Sequence, residues 1–116
     1  MQINPISNTN FTGTFVRNEA WNSVKSILSN KYDSNLSTAR WGLEKFEPYI
    51  DLIEQHCPET SVYEFEFFWP KFLSDTKMLA LLRNGEQIGS AEYITNFNTL
   101  VESVKDRIVR DAVGKF

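Results

Sequence analysis

The chain is poor in the residues on which most catalytic and metal chemistries draw. It has one histidine, His56, and one cysteine, Cys57, in 116 residues. A lone thiol forms no intramolecular disulfide, so a packed core has to hold the fold and a reducing compartment is expected. One imidazole and one thiol also fall short of a tetrahedral zinc ligand set. The five glycines never cluster, which excludes a Gly-rich phosphate loop. Gly-x-Ser-x-Gly and Cys-x-x-Cys are absent as well. No apolar run approaches the ~20 residues of a membrane-spanning helix.

Positive charge is scarce too. Twelve Lys and Arg against fifteen Asp and Glu leave a formal net charge of -3. Nucleic-acid binding depends on clustered cations that displace counterions, and no such cluster occurs. No cofactor, metal, membrane or nucleic-acid partner is therefore expected. The start, Met1-Gln-Ile-Asn-Pro, has neither the basic region nor the apolar run of a secretory signal, so a cytoplasmic location is expected. The composition of residues 1–10, rich in Asn and Ser, suits a flexible terminus. It also suits a polar export signal of the non-Sec kind.

What the chain does have is rings. Aromatic residues make up 14%, with nine Phe, four Tyr and three Trp. Each buries a large area, and a chain of this length can bury roughly two-thirds of its unfolded surface. A globular domain over residues 11–116 follows.

Local patterns outline its elements. Phe11–Val16 is a candidate strand. Asn18 is placed to cap a helix from Glu19 to about Asn30, with Ala20, Trp21, Val24, Ile27 and Leu28 on one face. Ser34–Phe46 reads two ways. Ala39, Trp41 and Leu43 alternate as a strand would, while Leu36, Ala39, Leu43 and Phe46 spread over three turns of one helical face, which favours helix. Pro48 suits the first position of a further helix, Pro48–His56, which Pro58 stops. Thr60–Trp69 alternates as a strand, with Tyr63, Phe65, Phe67 and Trp69 on one face and Val62, Glu64, Glu66 and Phe68 on the other.

The sharpest local signal is Asn84-Gly85, the preferred pair for a two-residue hairpin turn. It predicts a hairpin over 77–94 with Arg83 opposite Glu86 and Lys77 opposite Glu92. Leu79, Leu81 and Ile88 then share the face of the charge pairs. The small residues Ala80, Gly89 and Ala91 on the other face would admit a helix. A last helix runs from Asn96 or Asn98 to about Val113, with Phe97, Leu100, Val101, Val104, Ile108 and Ala112 inward. Asp106 with Arg110 and Arg107 with Asp111 are expected as ion pairs on its wet side. The order β-α-α-α-β-β-β-α predicts an α+β fold: a small antiparallel sheet of three to four strands with helices packed mainly on one face.

Three groups of residues could carry function. Asp51, Glu54, His56, Cys57 and Glu59 lie close in sequence. Neighbours on a helix point about 100° apart, however, so His56 and Cys57 do not share an ion. Cys57 reads as core and His56 as a solvated residue at a helix end. Glu64 and Glu66, with Lys77, Arg83, Glu86 and Glu92, would form a charged sheet face. That face is either a solvated surface laced by ion pairs or a cleft with paired carboxylates. Phe68 and Phe72 extend an aromatic run as a hydrophobic anchor for a partner, or else tuck under the sheet end. The binding candidates are thus Glu64, Glu66, Phe68 and Phe72. The function expected is a small non-enzymatic intracellular interaction module: a regulator, inhibitor or adaptor that binds a protein partner or itself. The alternative is a cofactor-free enzyme using carboxylates on the sheet face.

Overall fold

The computed structural model describes residues 12–30, 32–71 and 76–114. Strand β1 (Thr14–Phe15) is followed by helices α1 (Glu19–Leu28) and α2 (Ser37–His56), strands β2 (Val62–Phe68), β3 (Met78–Arg83) and β4 (Glu86–Tyr93), and helix α3 (Phe97–Ala112). The four strands form one sheet in the order β1-β2-β3-β4. The expected α+β fold is present. The strand expected over Phe11–Val16 is only β1, and β1 runs parallel to β2, so the sheet is mixed. Phe11 and residues 1–10 lie outside the described residues.

Local chemistry explains the boundaries. Asn18 stands extended before α1, and its side chain accepts the Trp21 N–H at 3.0 Å, which satisfies one orphan donor of the first turn. Cys57 is extended ahead of Pro58 and ends α2, as proline's clash with the preceding backbone requires. Asn84 (φ 53°) and Gly85 (φ 84°) form the hairpin tip, both left-handed as the tight turn demands. The Asn84 Oδ1 also accepts the Val62 N–H at 2.8 Å, pinning the tip to the start of β2.

Several expectations need correction. The two helices read at Ser34–Phe46 and Pro48–His56 are one helix, α2, entered through a 3-10 turn at Ser34–Leu36. Pro48 sits inside it, on an exposed face. Proline there removes one backbone hydrogen bond to the Glu44 carbonyl, and Glu44 is exposed too, so water can satisfy that carbonyl.

The hairpin keeps Arg83 opposite Glu86, Leu82 opposite Gln87 and Leu81 opposite Ile88. Beyond these it shifts, and Leu79 faces Glu92. Lys77 is therefore not opposite Glu92. Between the two registers Ala80 stands against three residues of β4, Gly89 to Ala91, a bulge that the turn rule does not foresee. The helices cover the face of Leu79, Leu81 and Ile88 rather than that of Ala80, although α3 does approach closely at Gly89, as its small size allows. Tyr63 pairs with Arg83, Phe65 with Leu81 and Phe67 with Leu79. That is the helix side, where Leu79, Leu81 and Ile88 are buried. Glu64 and Glu66 lie opposite Leu82 and Ala80 on the outer side, so they do not share a face with Arg83.

One contiguous core lies between the sheet and the helices. Its centre is a ring cluster. Trp21 stacks on Phe65 at 5.7 Å, and Phe15 meets Trp21 edge-on at 5.1 Å. Phe46 and Phe97 complete it. Gly42 lets α2 approach the start of α3: a Cβ there would sit 2.8 Å from the Asn98 backbone.

Candidate functional site

Two places in the fold concentrate chemistry. The first is buried where the hairpin meets the end of α3. Asp111 is 1% exposed. It accepts the Tyr63 hydroxyl at 2.6 Å and a two-pronged bond from Arg83, Nε at 3.0 Å and Nη2 at 3.1 Å. Arg83 Nη2 also donates to Ser61 Oγ at 3.1 Å. Sequence reading had put Asp111 on the wet side of α3 with Arg107. The structure turns it inward, three residues beyond Ile108 and seven beyond Val104, on the same stripe. That spacing was the available signal. A carboxylate on a core stripe invites the search for a buried cation, and Arg83 is that cation.

The titration behaviour follows from the contacts. Burial, the largest influence, pushes the Asp111 carboxyl up. Hydrogen bonds from Arg83, Tyr63 and Ser61 outweigh it, and the net shift is down. Burial, then the hydrogen bond to Asp111, raises the Tyr63 phenol well above its ordinary value. Cys57, fully buried, has its thiol pushed up to about 12, first by burial and then by the Asp111 charge. A thiol held in that form is a poor nucleophile. The network ties β2, β3 and α3 together.

The second place is on the surface. An open groove of about 400 Å³ runs between α1 and the end of the sheet, lined by Ser23, Ile27, Phe67, Trp69, Thr76, Lys77 and Ile94. Trp69 is 56% exposed and Ile27 38%. Lys77 Nζ lies 5.5 Å from the centre of the Trp69 ring and is the one charged group among the described residues of the wall. Trp41 on α2 is as exposed, and Lys45 Nζ lies over its ring at 3.9 Å. A smaller hollow of about 120 Å³ lies among Arg17, Trp21, Lys25, Glu47, Ile50 and Asp51. Its Arg17 is held by both oxygens of Glu54, at 2.6 and 3.1 Å.

The sequence-based candidates fall as follows. Glu66 is exposed, Glu64 half-buried with Asn18 Nδ2 3.5 Å away, and Phe68 half-buried on the same outer face. None of them lines the groove. Phe72 lies outside the described residues. In the other cluster Glu54 holds Arg17. His56 is exposed while its neighbour Cys57 is buried. Among the described residues no group of three His, Cys, Asp or Glu is placed to hold a metal ion, and no helix is long and apolar enough to cross a membrane. The groove was not foreseen in sequence: the anchor was expected at Phe68 and Phe72, whereas Phe67 and Trp69, which line the groove, read only as one face of a strand. The contribution of α1 through Ser23 and Ile27, and of Ile94, has no local signature.

Comparison of the chain with known proteins returns no matching family model, no matching curated protein and no matching solved structure.

Proposed function

We propose that the chain is a protein-interaction module that takes an apolar segment of a partner in the groove between α1 and the end of the sheet. The observation that carries this reading is Trp69, more than half exposed in a hollow walled by Ile27, Phe67 and Ile94. Interface energy concentrates on such rings where a pocket lets them lose water on both faces. The chemically distinctive groups support the same reading. Cys57, Tyr63 and Asp111 are buried in a hydrogen-bonded network, out of reach of a substrate. A reducing, cytoplasmic setting suits a protein whose single thiol is part of its core. The net charge of -3 favours protein over nucleic acid as the partner.

The test places a photo-crosslinking residue at Thr76, on the groove rim, in the full chain expressed in its own cells. A second chain carries the same residue at Trp41. Specific adducts at position 76 that vanish in Trp69→Ser, while melting temperature is unchanged, are expected. Equal adducts from both positions, or adducts indifferent to Trp69→Ser, would refute the reading.

A further inference from the structure

Among the described residues the groove's wall has one charge, and its sign opposes that of the chain. Lys77 stands at the groove in a protein of net charge -3. Its ammonium is exposed and rests near the Trp69 ring, and among the described residues it forms no ion pair. Ile27, Phe67, Trp69 and Ile94 supply the apolar floor, and the other two lining residues, Ser23 and Thr76, carry neutral hydroxyls. A ligand filling this groove gains from an apolar group against Trp69 and Ile27 and from a carboxylate beside Lys77. A ligand cation would meet like charge there, and the described lining residues offer it no counter-charge.

We propose, on the footing of the interaction module above, that the groove binds a peptide segment in which an apolar side chain adjoins an aspartate or glutamate. At about 400 Å³ the groove is at the small end of the ~300–1,000 Å³ range of ligand pockets. That is room for a few side chains, not for a folded element. Because it is an open trough rather than an enclosed tunnel, a chain can enter and leave along the surface, as an extended peptide needs. Lys77 is free to turn toward a ligand carboxylate, because its contact with Trp69 is an exposed cation–π pair that a hydrogen-bonded ion pair can replace at little cost.

The experiment selects binders to the full-length chain from a phage library of random peptides roughly nine residues long, about 30 Å when extended. Wild type, Trp69→Ser and Lys77→Glu are run in parallel, with melting temperatures measured for each. Both replaced side chains are exposed, so the variants should melt with wild type. Wild type should enrich an apolar residue next to Asp or Glu. Trp69→Ser should weaken the selected peptides about 30-fold or more, the scale of a lost hot spot. Lys77→Glu should weaken them roughly two- to fivefold, as loss of an exposed ion pair does, and should itself select Lys or Arg at that place. A pool that depends on Trp69 but shows no acidic preference, or is unchanged by Lys77→Glu, overturns the carboxylate and leaves the interaction reading standing. Absence of any Trp69-dependent pool overturns both. If decanoate below its micelle concentration shifts the Trp69 indole resonance while no peptide is enriched, the occupant is an acyl carboxylate and the peptide is overturned.

Discussion

Removing the Asp111 carboxylate should cost this protein a large part of its stability. In Asp111→Ala the Tyr63 hydroxyl loses its acceptor at 2.6 Å, and Arg83 loses both prongs of its ion pair. Breaking a buried pair by deleting one partner costs about 3–5 kcal/mol, because the other charge stays desolvated. The Arg83 side chain is 21% exposed, so water can reach part of it, and the low end, about 3 kcal/mol, applies. For a chain of this length that lowers the melting temperature by roughly 10–15 °C. Tyr63→Phe removes one hydrogen bond to the charged carboxylate and leaves the ion pair, so about 1.5 kcal/mol is expected, the low end for such a bond. Arg83→Met with Asp111→Leu replaces the pair by apolar groups of similar size and should recover most of the loss. The pH dependence has a definite sign. The folded Asp111 carboxyl is depressed, so its contribution is full above the unfolded carboxylate value of ~3.9. It fades as pH falls through the lower folded value. The gap in stability between wild type and Asp111→Asn should therefore be constant at neutral pH and narrow only in acid below about pH 4. Thermal melts by circular dichroism at pH 7 and in an acid series give all of these numbers. A loss under about 4 °C for Asp111→Ala, or a Tyr63→Phe variant just as damaged, would refute the reasoning.

Other expectations follow from packing and burial. Gly42→Ala should lower stability by about 1–3 kcal/mol, against the ~1 kcal/mol that this change brings on an open helix. The added carbon would meet the Asn98 backbone at 2.8 Å, and a higher melting temperature would show that α2 and α3 can part freely. Gly89→Ala should destabilise as well, since φ is +66° and a Cβ would lie 2.6 Å from Val104 Cγ1. A neutral result in urea unfolding would mean that the bulge relaxes. Pro48→Ala should raise the melting temperature by restoring the backbone bond to Glu44, with a gain of about 1–3 kcal/mol. A fall would show that α2 depends on the proline. Cys57, its thiol pushed up to about 12 and fully buried, should alkylate at pH 8 more than about 1,000-fold slower than free cysteine. Rapid labelling of the native protein by iodoacetamide would contradict this.

The features legible in sequence were those set within a few residues. Asn18 caps α1 and Pro58 ends α2 because a side-chain acceptor and a proline ring act on their immediate neighbours. Asn84-Gly85 made the hairpin tip, and the register held for the three pairs nearest it, because a two-residue turn leaves no freedom there. The α+β class followed from the periods of the apolar residues. Tertiary contact decided the rest. Pro48 stays inside α2 because its face and the carbonyl it orphans both lie toward water, which no local rule contains. The register slips at Gly89 to Ala91, where α3 crowds β4: Ser103 Oγ takes the Ser90 N–H at 3.0 Å, and a Gly89 side chain would collide with Val104. Asp111 turns inward because Arg83, twenty-eight residues away in the chain, waits there for it. Which of the rings stands in a hollow was decided the same way. Trp69 shares its strand face with Tyr63 and Phe65, and those two are buried. Trp69 lies just beyond the end of β2, past the cover of the core, where α1 borders the hollow through Ser23 and Ile27. A sequence can show which residues share a strand face. How far the covering helix extends along that face depends on contacts between segments distant in the chain.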